Sequence, residues 1–181
     1  MAGDTRIALP LTPGQVRVIA SYARGLRTTQ ITQALGTGER SVRDHIARAA
    51  KRAQISGRPL GALVHHCYQH GLFDGQEYAD LAVRTRETPP QLRLPHSLCR
   101  VLGCMAEGLS LTAAANELGI TRPTVMQYRK RIYERFRTRE LPRAVAMGWQ
   151  WGHLPIRPTA GAGTPVHANS AGPARKMVVT P

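Results

Sequence analysis

Apolar residues recur along this chain with the period of short amphipathic helices. Val42, Ile46, Ala49 and Ala53 follow one another at three- and four-residue spacing, which places them on one face of a helix. Aromatic residues make up only 5% of the chain. Small aliphatic side chains must therefore form the core, and these suit packed short helices better than a large sheet. The pattern predicts an all-α fold.

The chain also repeats itself without a gap at an offset of 83 residues. Residues 23–26, Ala-Arg-Gly-Leu, align with residues 106–109, Ala-Glu-Gly-Leu, and Leu35-Gly36 aligns with Leu118-Gly119. Matched aliphatic residues lie on helical faces and matched glycines lie at helix ends, so the agreement reflects a duplicated structural unit. We name residues 11–73 the first repeat and residues 94–154 the second repeat.

Each repeat carries the start and stop signals of four helices. In the first repeat, Thr12 and Gln15 form a capping box before a helix that ends near Arg24. Further helices are predicted over residues 28–35, over about residues 38–54 with Thr37 as the N-cap, and from Pro59 to about residue 70. In the second repeat, the first helix is predicted over about residues 95–107. Ser110 caps the second helix, Thr121 caps the third, and the fourth runs from Pro142 to about residue 151.

The remaining segments have different compositions. Residues 1–10 are predicted to form a short arm, and residues 74–93 a linker, within which residues 77–86 form a connecting helix before Pro89-Pro90 ends it. Residues 155–181 are rich in Pro, Gly, Ala, Thr and Ser and are predicted to be a disordered tail.

The net charge of +14 indicates a polyanionic partner, of which nucleic acid is the commonest. The first repeat carries nine Arg or Lys residues against two acidic ones, and the second carries nine against four. Three cysteines and no signal-peptide segment indicate a reducing cytoplasm, and no apolar run approaches the roughly 18 residues of a membrane span. We expect a soluble, nucleoid-associated protein.

Within each repeat, a helix, a glycine-containing turn and a longer basic helix form a helix-turn-helix, whose second helix lies in the DNA major groove. Arg pairs with guanine and Gln with adenine, and Met contacts a thymine methyl group. The N-termini of the second helices, at Thr28 and Ser110, offer N–H groups to phosphates. The outward residues predicted to contact DNA are Arg40, Ser41, Arg43, Asp44 and Arg48 in the first repeat, and Arg122, Thr124, Met126, Gln127, Lys130 and Arg131 in the second.

The first repeat contains Leu11-Thr12-Pro13, Ala23-Arg24-Gly25-Leu26, Leu35-Gly36 and Val42-Arg43-Asp44-His45. These motifs, and residues 106–136 of the second repeat, resemble the four-helix LuxR-type (GerE-like) DNA-binding domain of bacterial regulators. The resemblance implies that Arg43 contacts DNA and that Met126 does so by position. It also implies dimerisation through the fourth helices, which pair either within the chain or between two chains in a homodimer. The family's usual receiver or ligand-binding domain is not recognisable.

The second repeat departs from the family pattern at two positions. Tyr128 stands at the position equivalent to His45, and Met126 stands where the family has a basic residue.

His65-His66-Cys67 and His70 have the composition of a metal site, but adjacent helical positions diverge by about 100°, so an exposed fourth-helix surface is favoured over a metal. Cys99 and Cys104 are predicted to be core thiols. No catalytic set or phosphate-binding glycine loop stands out, and we expect neither enzymatic activity nor a cofactor.

Three functions remain open from the sequence. The first is a sequence-specific regulator that binds double-stranded DNA, with two non-identical half-sites because the two recognition helices differ. The second is an architectural protein bound mainly through phosphates. The third is an interaction module that engages RNA polymerase or another regulator.

Overall fold

The computed structural model describes residues 10–84 and 87–155, and all regular secondary structure in that part is helical. The predicted all-α fold is confirmed. The predicted tail beyond residue 155 and the arm before Pro10 lie outside the described residues. The helices are α1 (Pro13–Ala23), α2 (Thr28–Leu35), α3 (Glu39–Arg52) and α4 (Pro59–Gln69) in the first repeat, and α5 (His96–Ala106), α6 (Leu111–Leu118), α7 (Arg122–Arg135) and α8 (Leu141–Gln150) in the second.

The first helix of each repeat begins differently. The Thr12 side chain accepts a hydrogen bond from the Gln15 backbone, and the Gln15 side chain accepts one from the Thr12 backbone at 2.8 Å, which confirms the predicted capping box. Pro95 stands at the equivalent place before α5 and provides no side-chain acceptor. Of these two helices, α1 therefore has a capping box and α5 does not.

The turn of each helix-turn-helix depends on glycine. Gly36 directly follows α2 and Gly119 directly follows α6, and their φ angles are 61° and 64°. This left-handed conformation strains residues with a Cβ, so the repeated Leu-Gly pair is explained by the backbone. The tight turn is what brings α3 and α7 across their preceding helices.

The predicted N-cap of α3 is wrong by one residue. Thr37 instead closes α2, because its N–H donates to Thr32 O at 3.1 Å. Gly38 occupies the cap position and has no side chain to accept a hydrogen bond. At the equivalent position in the second repeat, Thr121 caps α7 as predicted and accepts from Thr124 N.

The predicted apolar faces of the recognition helices are buried. Val42, Ile46 and Ala49 of α3 pack into the core of the first repeat, and Val125 and Ile132 of α7 pack into that of the second. Phe136, which directly follows α7, is also buried, whereas Ala53 is half-buried at the end of α3. Each recognition helix thus turns its remaining positions outward.

The two repeats pack against each other through their fourth helices. α4 contacts α8, and each of them also contacts the first helix of the other repeat: α1 packs on α8, and α5 packs on α4. This reciprocal pattern is that of an isologous, pseudo-twofold interface. The sequence left open whether the fourth helices pair within one chain or between two chains. In the structure, α4 and α8 pair within the chain.

Close backbone approach and polar contacts fix this interface. A Cβ added at Gly61 would lie 3.0 Å from the Leu141 side chain, so the helices meet with little space between them. Trp149 Nε1 donates to His65 Nδ1 at 3.0 Å, and the Trp149 ring stacks on Tyr68. Arg143 Nη1 donates to Ala23 O at 3.3 Å, which ties the start of α8 to the end of α1.

The histidine and cysteine cluster of α4 is only partly the exposed surface that was predicted, because His70 is exposed and His66 is half-buried but the other two members are not accessible. His65 and Cys67 are buried, and burial raises the pKa of the Cys67 thiol to about 12. The reason is that α4 packs against its own repeat on one side and against α8 on another, which leaves these positions no solvent face. Cys104 is buried as predicted, whereas Cys99 is half-buried beside His153.

Residues 74–84, which we name the strap, were predicted to be part of a linker with a helix over residues 77–86. In place of the predicted helix, the strap contains only a 3₁₀ segment, Gln76–Leu81. Tyr78 and Leu81 of this segment are buried against the core. Arg24 pairs with Asp80 through two 2.8 Å contacts, and this hydrogen bonding lowers the pKa of Asp80. Gln150 Nε2 donates to Asp80 O at 2.7 Å. The strap therefore contacts both repeats.

The capping difference between α3 and α7 yields a stability prediction. Thr121→Ala removes the acceptor for Thr124 N and should lower the free energy of unfolding by about 1 kcal/mol. Thr37→Ala should change it by less than about 0.5 kcal/mol, because Thr37 does not cap α3. Urea denaturation of the full chain measures both. A larger loss for Thr37→Ala than for Thr121→Ala would contradict the assignment of the caps.

Two histidines whose pKa values are lowered in the folded chain predict a loss of stability in acid. Burial lowers the pKa of His65, with a further contribution from the charge of His66, and burial also lowers the pKa of His153. The unfolded chain, with histidine pKa values near 6.5, then binds more protons than the folded chain below that pH. The free energy of unfolding should therefore be constant above about pH 7 and fall as the pH drops through 6.5 towards the folded pKa values.

Urea denaturation between pH 7.5 and 5 measures this dependence. In His65→Asn the side-chain carbonyl replaces Nδ1 as an acceptor for Trp149 but does not titrate, so the decline should be shallower than in the wild type. His96→Asn, at an exposed position of α5, serves as the control and should keep the wild-type decline. Parallel curves for His65→Asn and the wild type would contradict the role given to His65.

Candidate nucleic-acid interface

The outer face of α3 carries five of the thirteen residues predicted to contact DNA. Arg40, Arg43, Asp44 and Arg48 are exposed, and Ser41 is half-buried. Four of them, Arg40, Ser41, Asp44 and Arg48, line one shallow depression together with Gly38 and His45. The structure therefore brings two guanidinium groups, a hydroxyl and a carboxylate onto one surface, a set that matches the hydrogen-bonding groups of base edges.

Arg43 lies apart from that depression and is paired within its own helix. Its Nη2 atom is 2.6 Å from Glu39 Oε2, one turn earlier, and both side chains are largely exposed. An exposed pair at this spacing contributes only about 0.3–0.5 kcal/mol. The guanidinium can exchange Glu39 for another acceptor at small cost. Glu39 was not predicted to belong to the site, although it lies in the first turn of α3.

At the two helix N-termini predicted to bind phosphates, some polar groups already have intramolecular partners. The Thr28 hydroxyl is 2.9 Å from the Tyr22 hydroxyl, and Ser110 Oγ accepts from Ala113 N at 3.1 Å. The Ala113 N–H therefore belongs to the cap of α6 and not to the groups free for phosphate. Ser110 is exposed and Thr28 is half-buried.

The predicted residues of α7 are distributed over different surfaces. Met126, Gln127 and Lys130 line a groove between the repeats, whereas Arg131 lines a separate depression beside Tyr128. The Thr124 hydroxyl is 2.8 Å from that of Thr121 and so takes part in the cap of α7. Arg122 is exposed at the first position of the helix. Unlike α3, α7 does not gather its predicted residues onto one patch.

The groove between the repeats contains residues that sequence reasoning missed. We name it the inter-repeat groove; it lies between the α1–α2 turn of the first repeat and the α7–α8 region of the second. The only signal for it in the sequence is a difference between equivalent positions of the repeats, such as Arg139 against Ser56. Its lining consists of Gly25, Arg27, Met126, Gln127, Arg129, Lys130, Tyr133, Glu134, Arg137, Thr138, Arg139 and Glu140.

Tyr133 is the aromatic residue of this lining, and its side chain is half-buried. Burial raises the pKa of its phenol, and Glu140 acts in the same direction, while Arg129 and Arg58 oppose the shift. The phenol therefore stays protonated and can donate a hydrogen bond at neutral pH.

No group of three or more His, Cys, Asp or Glu residues able to hold a metal ion occurs in residues 10–84 and 87–155. In the same part of the chain, no helix is both long enough and apolar enough to cross a membrane.

Residues 99–148 match the family model described as bacterial regulatory proteins of the luxR family. The match begins within α5 and ends within α8, so it contains the complete helix-turn-helix of the second repeat and does not include the first repeat. Comparisons with curated proteins and with solved structures gave no significant match. Residues 99–148 are therefore similar to the LuxR-type helix-turn-helix domain, which supports a DNA-binding transcription regulator.

Proposed function

We propose that this protein is a transcription regulator that binds double-stranded DNA sequence-specifically through both repeats at once. The observation that carries the proposal is the reciprocal packing of α4 on α8, which joins a LuxR-type helix-turn-helix to a second unit with the same order of helices. A nucleoid location follows from this activity.

The fourth-helix interface makes one chain equivalent to a dimer. Because α4 and α8 cover each other, the surface through which a homodimer would form is occupied within the chain. The strap contacts both repeats, and so limits their relative movement. A second recognition helix held in place in advance loses little entropy on binding. We therefore propose that one chain occupies one DNA site.

The two recognition helices favour different base pairs. Arg43 and Asp44 of α3 correspond to Met126 and Gln127 of α7. A guanidinium pairs with the guanine edge, whereas an amide suits adenine and a thioether suits a thymine methyl group. The DNA site should therefore have two unlike halves, in contrast to the palindromes read by symmetric dimers.

Selection from a random DNA library, followed by footprinting and measurement of mass in solution, tests this proposal. The expected result is a defined two-part motif without dyad symmetry, bound by one chain per site, with a loss of about 1–3 kcal/mol for each mismatched base pair. Equal affinity for all sequences with a steep dependence on salt would instead favour the architectural function. Absence of DNA binding would favour a protein-interaction module. Either result overturns the proposal.

Arg43→Ala tests the assignment of α3 as a base-reading helix. The expected result is a loss of about 1–3 kcal/mol on the selected site and a relaxed preference at particular base pairs in one half of the motif. Met126→Ala, at the equivalent position of α7, is the matched comparison and should alter preference only in the other half. If Arg43→Ala weakens all sequences equally, Arg43 contacts a phosphate and the assignment is wrong.

A further inference from the structure

The inter-repeat groove has a strong excess of positive charge. Five cationic side chains and two carboxylates line it. Glu140 is partly engaged with Arg27, whose Nε lies 3.9 Å from Glu140 Oε1, and Glu134 lies 3.9 Å from Lys130 Nζ. Within the described residues, no ion pair involves Arg129, Arg137 or Arg139. Most of this positive charge is therefore not neutralised by acidic residues in the described part of the chain.

This charge does not follow the pseudo-twofold symmetry of the fold. At the positions related by the offset of 83 residues, all five cations are replaced by uncharged side chains. Ile46, Ala47, Gln54 and Ser56 stand in place of Arg129, Lys130, Arg137 and Arg139, and Ser110 stands in place of Arg27. The packing of the repeats does not require these cations, because the equivalent positions on the other side of the pseudo-twofold pack without them.

Both repeats build the groove, so its shape depends on the α4–α8 interface. A Cβ added at Gly25, in the first repeat, would lie 3.5 Å from the Arg143 side chain of α8. Arg27 is contributed by the first repeat and faces Glu140 of the second. An isolated second repeat would therefore lack one wall and one cation of this groove.

The position of the groove relates it to the DNA surface. Met126, Gln127 and Lys130 lie in it and also belong to the face of α7 predicted to enter the major groove. A ligand on that face passes directly beside Arg27, Arg137 and Arg139. A polyanion with regularly spaced charges complements this arrangement, and the backbone of a duplex is such a polyanion.

We infer that the inter-repeat groove binds the phosphodiester backbone of the DNA between the two half-sites, with Arg27 of the first repeat acting beside Arg129, Arg137 and Arg139 of the second. This inference rests on the proposed function. The side of the second repeat that lines the groove then binds DNA mainly through phosphates. The side related to it by the pseudo-twofold axis, formed by α3 and Ser110, does not. The lining of the groove carries a net charge of +3, whereas the twofold-related positions, which include Arg43, Asp44 and Lys51, carry +1.

The equivalent positions of the other repeat show which uncharged residues the fold accommodates in place of these cations. Arg137→Gln and Arg139→Ser import the residues found at positions 54 and 56, and Arg27→Ser imports that found at position 110. Gln54 and Arg137 have φ angles of 56° and 48°, so glutamine already occupies this left-handed conformation in the same fold. The variants should keep the thermal unfolding midpoint of the wild type.

The affinity of the full chain for a duplex containing the selected site is measured by fluorescence anisotropy over a series of salt concentrations. Loss of one phosphate contact reduces the magnitude of the negative slope of log K against log salt by about 0.9, so the double variant Arg137→Gln/Arg139→Ser should reduce that magnitude by about 2. The base preference measured by selection should not change. The double variant Arg17→Gln/Arg100→Gln removes the same charge outside the groove and should keep the wild-type slope.

Interference by phosphate ethylation locates the contact independently. Modified phosphates between the half-sites should block binding of the wild type, and Arg27→Ser should lose part of this interference on one strand. If the groove variant and its charge-matched control have the same slope and the same interference pattern, the inference is overturned. That outcome leaves the proposed function standing, whereas a failure of the selection to yield a motif removes the proposed function itself.

Discussion

The contact between α4 and α8 is the constraint on which the rest of the structure depends. Each repeat has only about 60 residues, a size at which a single core buries a modest fraction of the chain surface. Leu63 and Val64 of α4 and Val145 of α8 are fully buried, and the tight approach at Gly61 admits the side chain of Leu141. Because α4 and α8 also pack on α5 and α1, the same contact completes the two cores and sets the relative position of the two recognition helices.

The duplicated frame and the divergent surface follow from different physical demands. Buried positions such as Ala23 and Ala106, or Val42 and Val125, agree between the repeats because close packing tolerates little change in side-chain volume. Exposed positions are free of that demand, and Arg139 accordingly corresponds to Ser56. The same offset that reveals the common fold thus separates the residues needed for packing from those available for binding.

The helices could be predicted from local signals in the sequence, whereas the long-range contacts between them could not. Thr12, Ser110 and Thr121 cap helices through bonds to residues three positions later, which the sequence alone reveals. The predicted cap at Thr37 failed because the closure of α2 claims that residue. The burial of His65 depends on Trp149, 84 residues away in the chain, and the strap depends on Arg24 and Gln150. No periodicity within a helix encodes such contacts, and the inter-repeat groove was missed for the same reason.

Covalent duplication removes a restriction that symmetric dimers impose. When two identical chains form the interface, each substitution on a recognition helix appears twice, and the half-sites must remain alike. Here Arg43 and Met126 occupy equivalent positions of one chain and can change independently. Linking α4 to α8 in one chain also makes the contact independent of protein concentration, since neither repeat has to find a partner. The proposed asymmetry in base contacts and the asymmetry in groove charge are then two consequences of the same duplication, because neither repeat has to match its twofold-related counterpart at these positions.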